Sequence, residues 1–376
     1  MSQRKKYLLG YLKTGGGHLA PARSIAATMI GNHSDTVEPV LVDGLSEARS
    51  FARYIIEDGY RILQAQAQWY YEFLYATNKF PPIGYLNVAL AKFFIKPYLK
   101  KRILEERPSA IVLFHFFLIA PAYEILRELT LDIPVVTVVT DPYTAHPLWF
   151  QNARQRYIVF SERLKEYCIT QRRIHPDRVN VFPFIVDEKF SSPLPPEKIA
   201  AVKERFGFDG EKKTVLIIGG GDGIPNGKRI LENLLTASLP VEIAIVCGKN
   251  KQLYADAVDL QRRFPALKVF AFVDFVYDLL NASDIVITKC GASTIMEILM
   301  MRKIPIINDY LWEQELGNME FVRDNRLGIY ERDIARLPGI VNDLISNDAL
   351  YRLYRGNIDA LTLRNGTREV SEFLVS

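Results

Sequence analysis

Short β-branched runs alternate with longer helix-period stretches along nearly the whole 376-residue chain, and no other feature constrains the fold as tightly. That alternation predicts an α/β protein with parallel sheets covered by helices. The predicted strands of the first half are Tyr7 to Leu12, Val37 to Val42, Ala110 to Phe114, Pro134 to Val139, Arg156 to Phe160 and Val179 to Phe182. A second series comprises Thr214 to Ile218, Val241 to Val246, Lys268 to Ala271, Ile285 to Thr288 and Ile304 to Ile307. Between them, Asp187 to Pro196 holds Ser191, Ser192, Pro193, Pro195 and Pro196, which is linker chemistry. Two Rossmann-like domains are expected, residues 1–186 and 187–354, with a terminal helix at about 355–376 free to pack back on the first. Such sheets bind ligands at the carboxyl ends of their strands. Two in series facing each other across a cleft suit an enzyme with two substrates.

Composition narrows the class. A chain of this length that is 49% hydrophobic buries enough apolar surface to fold without disulfides or a structural metal. Cys168, Cys247 and Cys290 are odd in number and lack CxxC spacing, which fits a reducing cytosol and argues against a zinc site. The 47 basic and 43 acidic residues leave +4, too little to suggest a nucleic-acid partner. The excess is uneven: residues 1–186 carry 23 basic and 16 acidic side chains, or +7, which leaves −3 for the remainder. The longest apolar run, Ala110 to Ala122, is interrupted by His115 and Pro121, and Met1 to Lys6 has no apolar signal core, so a cytoplasmic protein is expected.

Four stretches carry chemistry. Thr14-Gly15-Gly16-Gly17-His18 lies between the first strand and a helical run, Ala22 to Ile30. Its glycines allow close backbone approach to an anion, and His18 at the mouth of the turn is placed for proton transfer near neutral pH. Glycines alone equally mark an ordinary strand-to-helix turn. Gly219 to Gly223, with Asp222 among four glycines, repeats the device before the helix Gly227 to Thr236. Neither stretch has the GK[ST] of a P-loop or the GxGxxG of a dinucleotide site. The run Ile287 to Glu297 ends a strand in a small-residue turn and opens a helix whose N-terminus suits a diphosphate. One turn further, the Glu297 carboxylate is able to accept two hydrogen bonds from the vicinal hydroxyls of a ribose; read alone it is equally a solvated helix carboxylate. Gln314 and Glu315, in the polar loop after the next strand, offer an amide and a carboxylate to sugar hydroxyls. Asp141 and His146, five residues apart after the strand at Pro134, form an acid/base pair or else a capped turn with a surface histidine. His115 reads as a core histidine.

In order, TGGGH at 14–18, TDPYTAHPLWF at 140–150, GGGDG at 219–223, VCGKNKQL at 246–253, TKCGASTIMEIL at 288–299 and NDYLWEQELGN at 308–318 resemble the monogalactosyldiacylglycerol synthase family. The family is similar to the glycosyltransferases that add N-acetylglucosamine to lipid I, and the resemblance implies the GT-B fold. It implies inverting transfer of galactose or glucose from a UDP-sugar to the hydroxyl of diacylglycerol, without a cofactor or metal. Carried over by position, His18 is the base, and Asp141 and His146 lie near the acceptor. Gly291, Ala292 and Ser293 with Lys289 form the phosphate turn, Glu297 binds the ribose, and Phe272 and Val273 read uracil through their backbone. Gln314, Glu315 and Asn318 meet the donor sugar, and the turns at Gly16, Gly17, Gly220, Gly221 and Asp222 complete the donor site. Leu19 stands where the family usually has a basic residue, and Cys290 replaces a commoner small residue.

Residues 50–107 read as a long helical insertion rich in aromatics: Tyr54, Tyr60, Trp69, Tyr70, Tyr71, Phe73, Tyr75, Phe80, Tyr85, Phe93, Phe94 and Tyr98. From Lys79 to Arg107 seven basic residues stand against Glu105 and Glu106. Such a helix either packs on the core with a solvated basic face or lies on an anionic membrane. A lipid acceptor favours the second, on the inner face of the cell membrane. Two other readings stay open: a GT-B transferase using UDP-N-acetylglucosamine or another nucleotide sugar with a polyprenol-linked or non-lipid acceptor, and a catalytically dead scaffold.

Overall fold

A computed structural model of the chain describes residues 4–13, 16–47, 72, 76–78 and 80–376. The chain divides into two compact units, one of Met1–Glu188, Leu311–Gln314 and Asn365–Ser376, the other of Lys189–Tyr310 and Glu315–Arg364.

In the first unit β1 (Lys5–Tyr11), α1 (Gly16–His33), β2 (Val37–Asp43), α2 (Pro81–Glu106), β3 (Ala110–Leu113), α3 (Ile119–Glu128), β4 (Val135–Val138), β5 (Arg156–Val159), α4 (Glu162–Thr170) and β6 (Val179–Val181) follow one another. The sheet order is β2-β1-β3-β4-β5-β6, every pair parallel. The four residues of β3 and of β4 are all buried, as a sheet covered on both faces requires. The chain leaves β1 for β2 on one side and returns to β3 on the other, so the topological switch point lies between β1 and β3, where an open α/β sheet takes its ligand.

The second unit runs α5 (Pro196–Arg205), β7 (Lys213–Ile218), α6 (Gly227–Thr236), β8 (Val241–Val246), α7 (Lys251–Arg263), β9 (Lys268–Phe270), α8 (Val276–Ala282), β10 (Ile285–Lys289), α9 (Ala292–Met300), β11 (Ile304–Asp309), α10 (Leu316–Asp324), β12 (Ile329–Tyr330), α11 (Leu337–Ser346) and α12 (Asp348–Ala360). Its sheet, β12-β11-β10-β7-β8-β9, is again wholly parallel, with the switch point between β7 and β10. Residues of α6, Ile230, Leu231 and Leu234, pack on strand residues Val215, Ile217, Ile243 and Ile245 in the core of this unit.

The last helix, α13 (Thr367–Val375), belongs to the first unit. The Thr367 hydroxyl donates to the Val186 carbonyl at 2.8 Å, and the Val186 N–H donates to Asn365 Oδ1 at 3.3 Å. Val370 is fully buried.

The eleven predicted strands are found within one or two residues of their expected ends. β12 was not expected: two residues cannot show a period of two. The first helix begins at Gly16 rather than Ala22, so Gly16, Gly17 and His18 form its first turn instead of a loop before it. Glycine is a poor helix former, and packing of His18 overrides that preference.

Of the aromatic insertion, Tyr54, Tyr60, Trp69, Tyr70, Tyr71, Phe73 and Tyr75 lie outside the described residues. α2 buries Val88 and packs Ala91, Ile95, Leu99 and Ile103 into the core, where each buried Val, Leu or Ile side chain contributes roughly 1.5–3 kcal/mol. Its cations depart from the expected free basic face. Lys92 pairs with Glu124, Lys96 with Glu124 and Glu128, and Lys100 with Glu128, all across to α3. Lys101 reaches Glu47, and Arg102 reaches Glu105 and Glu106. Glu124, Glu128 and Glu47 come from segments distant in sequence, which a local charge count misses; only Glu105 and Glu106 lie on α2 itself. Among the described residues no helix is long and apolar enough to cross a membrane.

Candidate functional site

In the first unit the loops after β1, β3 and β4, three neighbouring strands, bring their polar residues together. His18 sits in the first turn of α1, 7% exposed, with Nδ1 at 2.9 Å from the Thr140 hydroxyl. Burial pulls its pKa down to about 4, and a hydrogen bond with the Phe114 backbone opposes that only in part. The imidazole is therefore neutral at physiological pH. It is not the exposed, near-neutral titrating group that the sequence suggested, because the helix starts early and carries the ring inward.

His115, read from sequence as a core histidine, is buried and lies against His18, with ring centroids 4.6 Å apart and planes at 66°. Its Nδ1 accepts the Phe117 N–H at 3.1 Å. Burial, and secondarily the neighbouring His18, push its pKa well below the usual histidine value. Trp149, fully buried, has its ring centroid 6.0 Å from that of His18 and donates Nε1–H to Asp141 Oδ2 at 2.8 Å. His146, also buried rather than at the surface, accepts the Leu148 N–H on Nδ1 at 3.2 Å and so caps the short turn Pro147–Phe150. Asp141 thus holds Trp149, and His146 holds backbone. Thr140 and Trp149 stand in the same run as the two residues singled out; the turn Pro147–Phe150 that carries Trp149 has no period that would show its contact with His18.

In the second unit the two loops flanking the β7/β10 switch point are the glycine-rich turn and the run that opens α9. Gly223 has φ +78°, and a Cβ there would stand 2.7 Å from the Cys247 carbonyl; Gly248 has φ +59°. Both positions require glycine. The Lys249 N–H donates to the Gly221 carbonyl at 2.8 Å, which ties the two turns together, while Gly221 and Asp222 are exposed and Gly220 has φ +82°.

Lys289 ends β10, and Gly291 is the extended N-cap of α9. The first amides of this helix, from Ala292 and Ser293 onward, have no intrahelical acceptor and present its positive end. Glu297 lies four residues beyond Ser293, on the same helix face, and is partly exposed. The carboxylate of Glu315, buried, stands 3.6 Å from the place of a Cβ on Gly291. Asn318, also buried, donates Nδ2–H to the Cys290 carbonyl at 3.0 Å. Thus Gly291, Ala292, Ser293, Glu297, Glu315 and Asn318 are gathered around one turn. Gln314 lies in the loop before Glu315, its N–H on the Trp312 carbonyl at 2.6 Å. Phe272 and Val273 follow β9; Phe272 is 60% exposed, with the Lys249 ammonium 5.3 Å from its ring centroid. Among the described residues no group of three His, Cys, Asp or Glu side chains converges as a metal-ligand set would.

Comparison with known proteins adds the family. Residues 18–185 match the monogalactosyldiacylglycerol (MGDG) synthases, and residues 214–334 match the C-terminal domain of glycosyltransferase family 28. The chain is 30% identical over 336 residues to the chloroplastic monogalactosyldiacylglycerol synthase of Spinacia oleracea, covering 87% of this chain and 63% of that one. It is 25% identical over 379 residues to a processive diacylglycerol beta-glucosyltransferase of Bacillus pumilus, covering 100% and 96%. The chain spans slightly under two thirds of the length of the Nicotiana tabacum and Spinacia oleracea synthases and of Arabidopsis thaliana synthase 1. Among solved structures, Arabidopsis thaliana UGT89C1 complexed with UDP-L-rhamnose superposes with a TM-score of 0.63 at 13% identity, covering 100% and 99%. That likeness is one of fold, the GT-B fold.

Proposed function

The chain belongs to the monogalactosyldiacylglycerol synthase group of family 28 glycosyltransferases, and on that premise we propose that it moves a hexose, galactose or glucose, from a UDP-sugar to the free hydroxyl of diacylglycerol with inversion at the anomeric carbon. The observation that carries the reading is the placement of the glycine turn and the α9 N-terminus on either side of the second unit's switch point, with Glu297 on the same helix. An anionic diphosphate and a ribose diol are the chemistry that such a site recognises. The choice of acceptor is supported by the end-to-end likeness to the processive diacylglycerol beta-glucosyltransferase.

In this reading the amides of Gly291, Ala292 and Ser293, with Lys289, hold the diphosphate, and Glu297 accepts from the ribose hydroxyls. Phe272 and Val273 border the uracil, and Gln314, Glu315 and Asn318 meet the hexose. The turn at Gly220, Gly221 and Asp222 keeps backbone close to the donor, and Gly16 and Gly17 open the helical turn that carries His18. His18, neutral, takes the acceptor's proton; the hydroxyl oxygen attacks C1 on the face opposite UDP; the C1–O bond breaks with its electron pair leaving on UDP, stabilised by the helix-end amides. Because His18 is a weak base, the proton passes to it late, once C–O bond formation has acidified the hydroxyl. Asp141 and His146 shape the acceptor side. No cofactor takes part.

The acceptor is met at the inner face of the cell membrane through α2, whose outward side presents Ile83, Leu86, Leu90 and Phe93. Radiolabelled UDP-galactose, UDP-glucose and UDP-N-acetylglucosamine, each offered diacylglycerol, a polyprenol-linked sugar and soluble acceptors, test the assignment by thin-layer chromatography. Label in a diacylglycerol glycolipid from one of the two hexoses is expected; label only in the other acceptors would overturn it. Glu297→Ala should abolish the thermal shift given by UDP, and an unchanged shift would remove the ribose role.

A further inference from the structure

His115 is absent from the motifs that suggested the function, yet its ring is the nearest aromatic neighbour of His18 at 4.6 Å. The contact follows from topology. β1 and β3 are paired, with Gly10 opposite Leu113, so the residues that follow each strand meet at the switch point. His115 is extended at φ −152° and caps the short turn Phe116–Leu118, its Nδ1 accepting the Phe117 N–H. In the neutral ring the proton must then lie on Nε2. The rings of Phe116 and Phe117 lie 4.5 and 5.3 Å away, so one backbone bond and two aromatic neighbours hold His115 in place.

The requirements of His18 explain why a fixed ring belongs there. A base in a dry pocket works only if its plane and its free nitrogen are held before the substrate arrives. Thr140 and the Phe114 backbone hold His18 through hydrogen bonds to the ring, and the edge-to-face ring of His115 fills the space into which the imidazole would otherwise tilt.

The geometry points to His115 as a positioning residue for the base, acting through the packing of its ring against His18 rather than through its own proton. This rests on the reading of His18 as the base. Two conservative variants separate ring from nitrogen. His115→Phe keeps a ring and loses the Nδ1 acceptor, whereas His115→Asn keeps an acceptor close to Nδ1 and loses the ring. We expect His115→Asn to lower kcat by roughly tenfold to a hundredfold, with KM for the UDP-sugar within about twofold, and His115→Phe to retain kcat within about threefold. Far-UV circular dichroism and the thermal melt of the whole chain report whether each variant is folded, because His115 lies in the first unit. Equal losses of kcat in both variants would overturn the proposal in favour of a nitrogen-dependent role, and so would no loss in either. A fall in UDP affinity matching that in kcat would show a structural histidine and would also overturn it. His18→Ala is the control: if it retains turnover, the base reading fails, whatever the His115 variants do.

Discussion

The hydroxyl of Thr140 stands 2.9 Å from Nδ1 of His18, although 122 residues separate them in sequence, and both side chains are buried. With burial holding the pKa of His18 at about 4, the base form is fully populated across the physiological range. The profile of kcat/KM against pH should therefore have no acid limb near 6.5 and should fall only as pH approaches 4, the pKa of the folded enzyme's base. Initial rates between pH 5 and 8 check this, and a limb in that interval would show that His18 is not the group titrating in catalysis.

The same burial bears on stability. The unfolded chain binds a proton at His18 near pH 6.5, the folded chain near 4, so the unfolded state holds more protons between these values. The contribution is complete above pH 6.5 and is lost as pH falls toward 4, by ~3 kcal/mol in all for this group. His18→Leu should accordingly flatten part of the decline in unfolding free energy between pH 7.5 and 5. Denaturant titrations of both chains at the two pH values measure it, and parallel declines would mean that His18 is solvated.

Much of this was legible in the sequence, for reasons that differ by element. β7, β8, β10 and β11 are runs rich in Val and Ile with Gly219, Pro240, Gly248, Asp284 or Asn308 at or near an end, and such runs carry their own boundaries. The donor-side residues from Gly291 to Glu297 lie on one turn and one helix, so their spacing in sequence is their spacing in space. His115 was legible as core but not as a neighbour of His18, and Trp149 only as part of a motif, since both proximities depend on strand order. The ion pairs of Lys92, Lys96 and Lys100 were hidden in the same way, their partners lying about thirty residues ahead on α3.

Two glycines of one turn should respond unequally to the same change. Gly223 has φ +78° and no room beside the Cys247 carbonyl, whereas a Cβ on Gly221 meets nothing within 4 Å. Gly223→Ala should destabilise the chain by roughly 1–3 kcal/mol and Gly221→Ala by less than about 0.5. Thermal melts without ligand compare them. Equal effects would mean that the turn relaxes around a Cβ at Gly223.

Membrane attachment through α2 should depend on its apolar side rather than on its charge. Phe93 is 74% exposed and Leu86 60%, while Lys92, Lys96 and Lys100 face α3 and are paired with Glu124 and Glu128. A cation already bound to a carboxylate adds little attraction to an anionic headgroup, so the usual gain of about 1 kcal/mol per basic residue does not apply to these three. Leu86→Glu combined with Phe93→Glu should abolish co-sedimentation with phosphatidylcholine–phosphatidylglycerol vesicles. Raising salt well above the physiological range, which shortens the screening length to about 3 Å near 1 M, should reduce binding of the unaltered chain only weakly. A steep loss with salt, or binding undisturbed by the double change, would mean that cations outside this helix make the attachment.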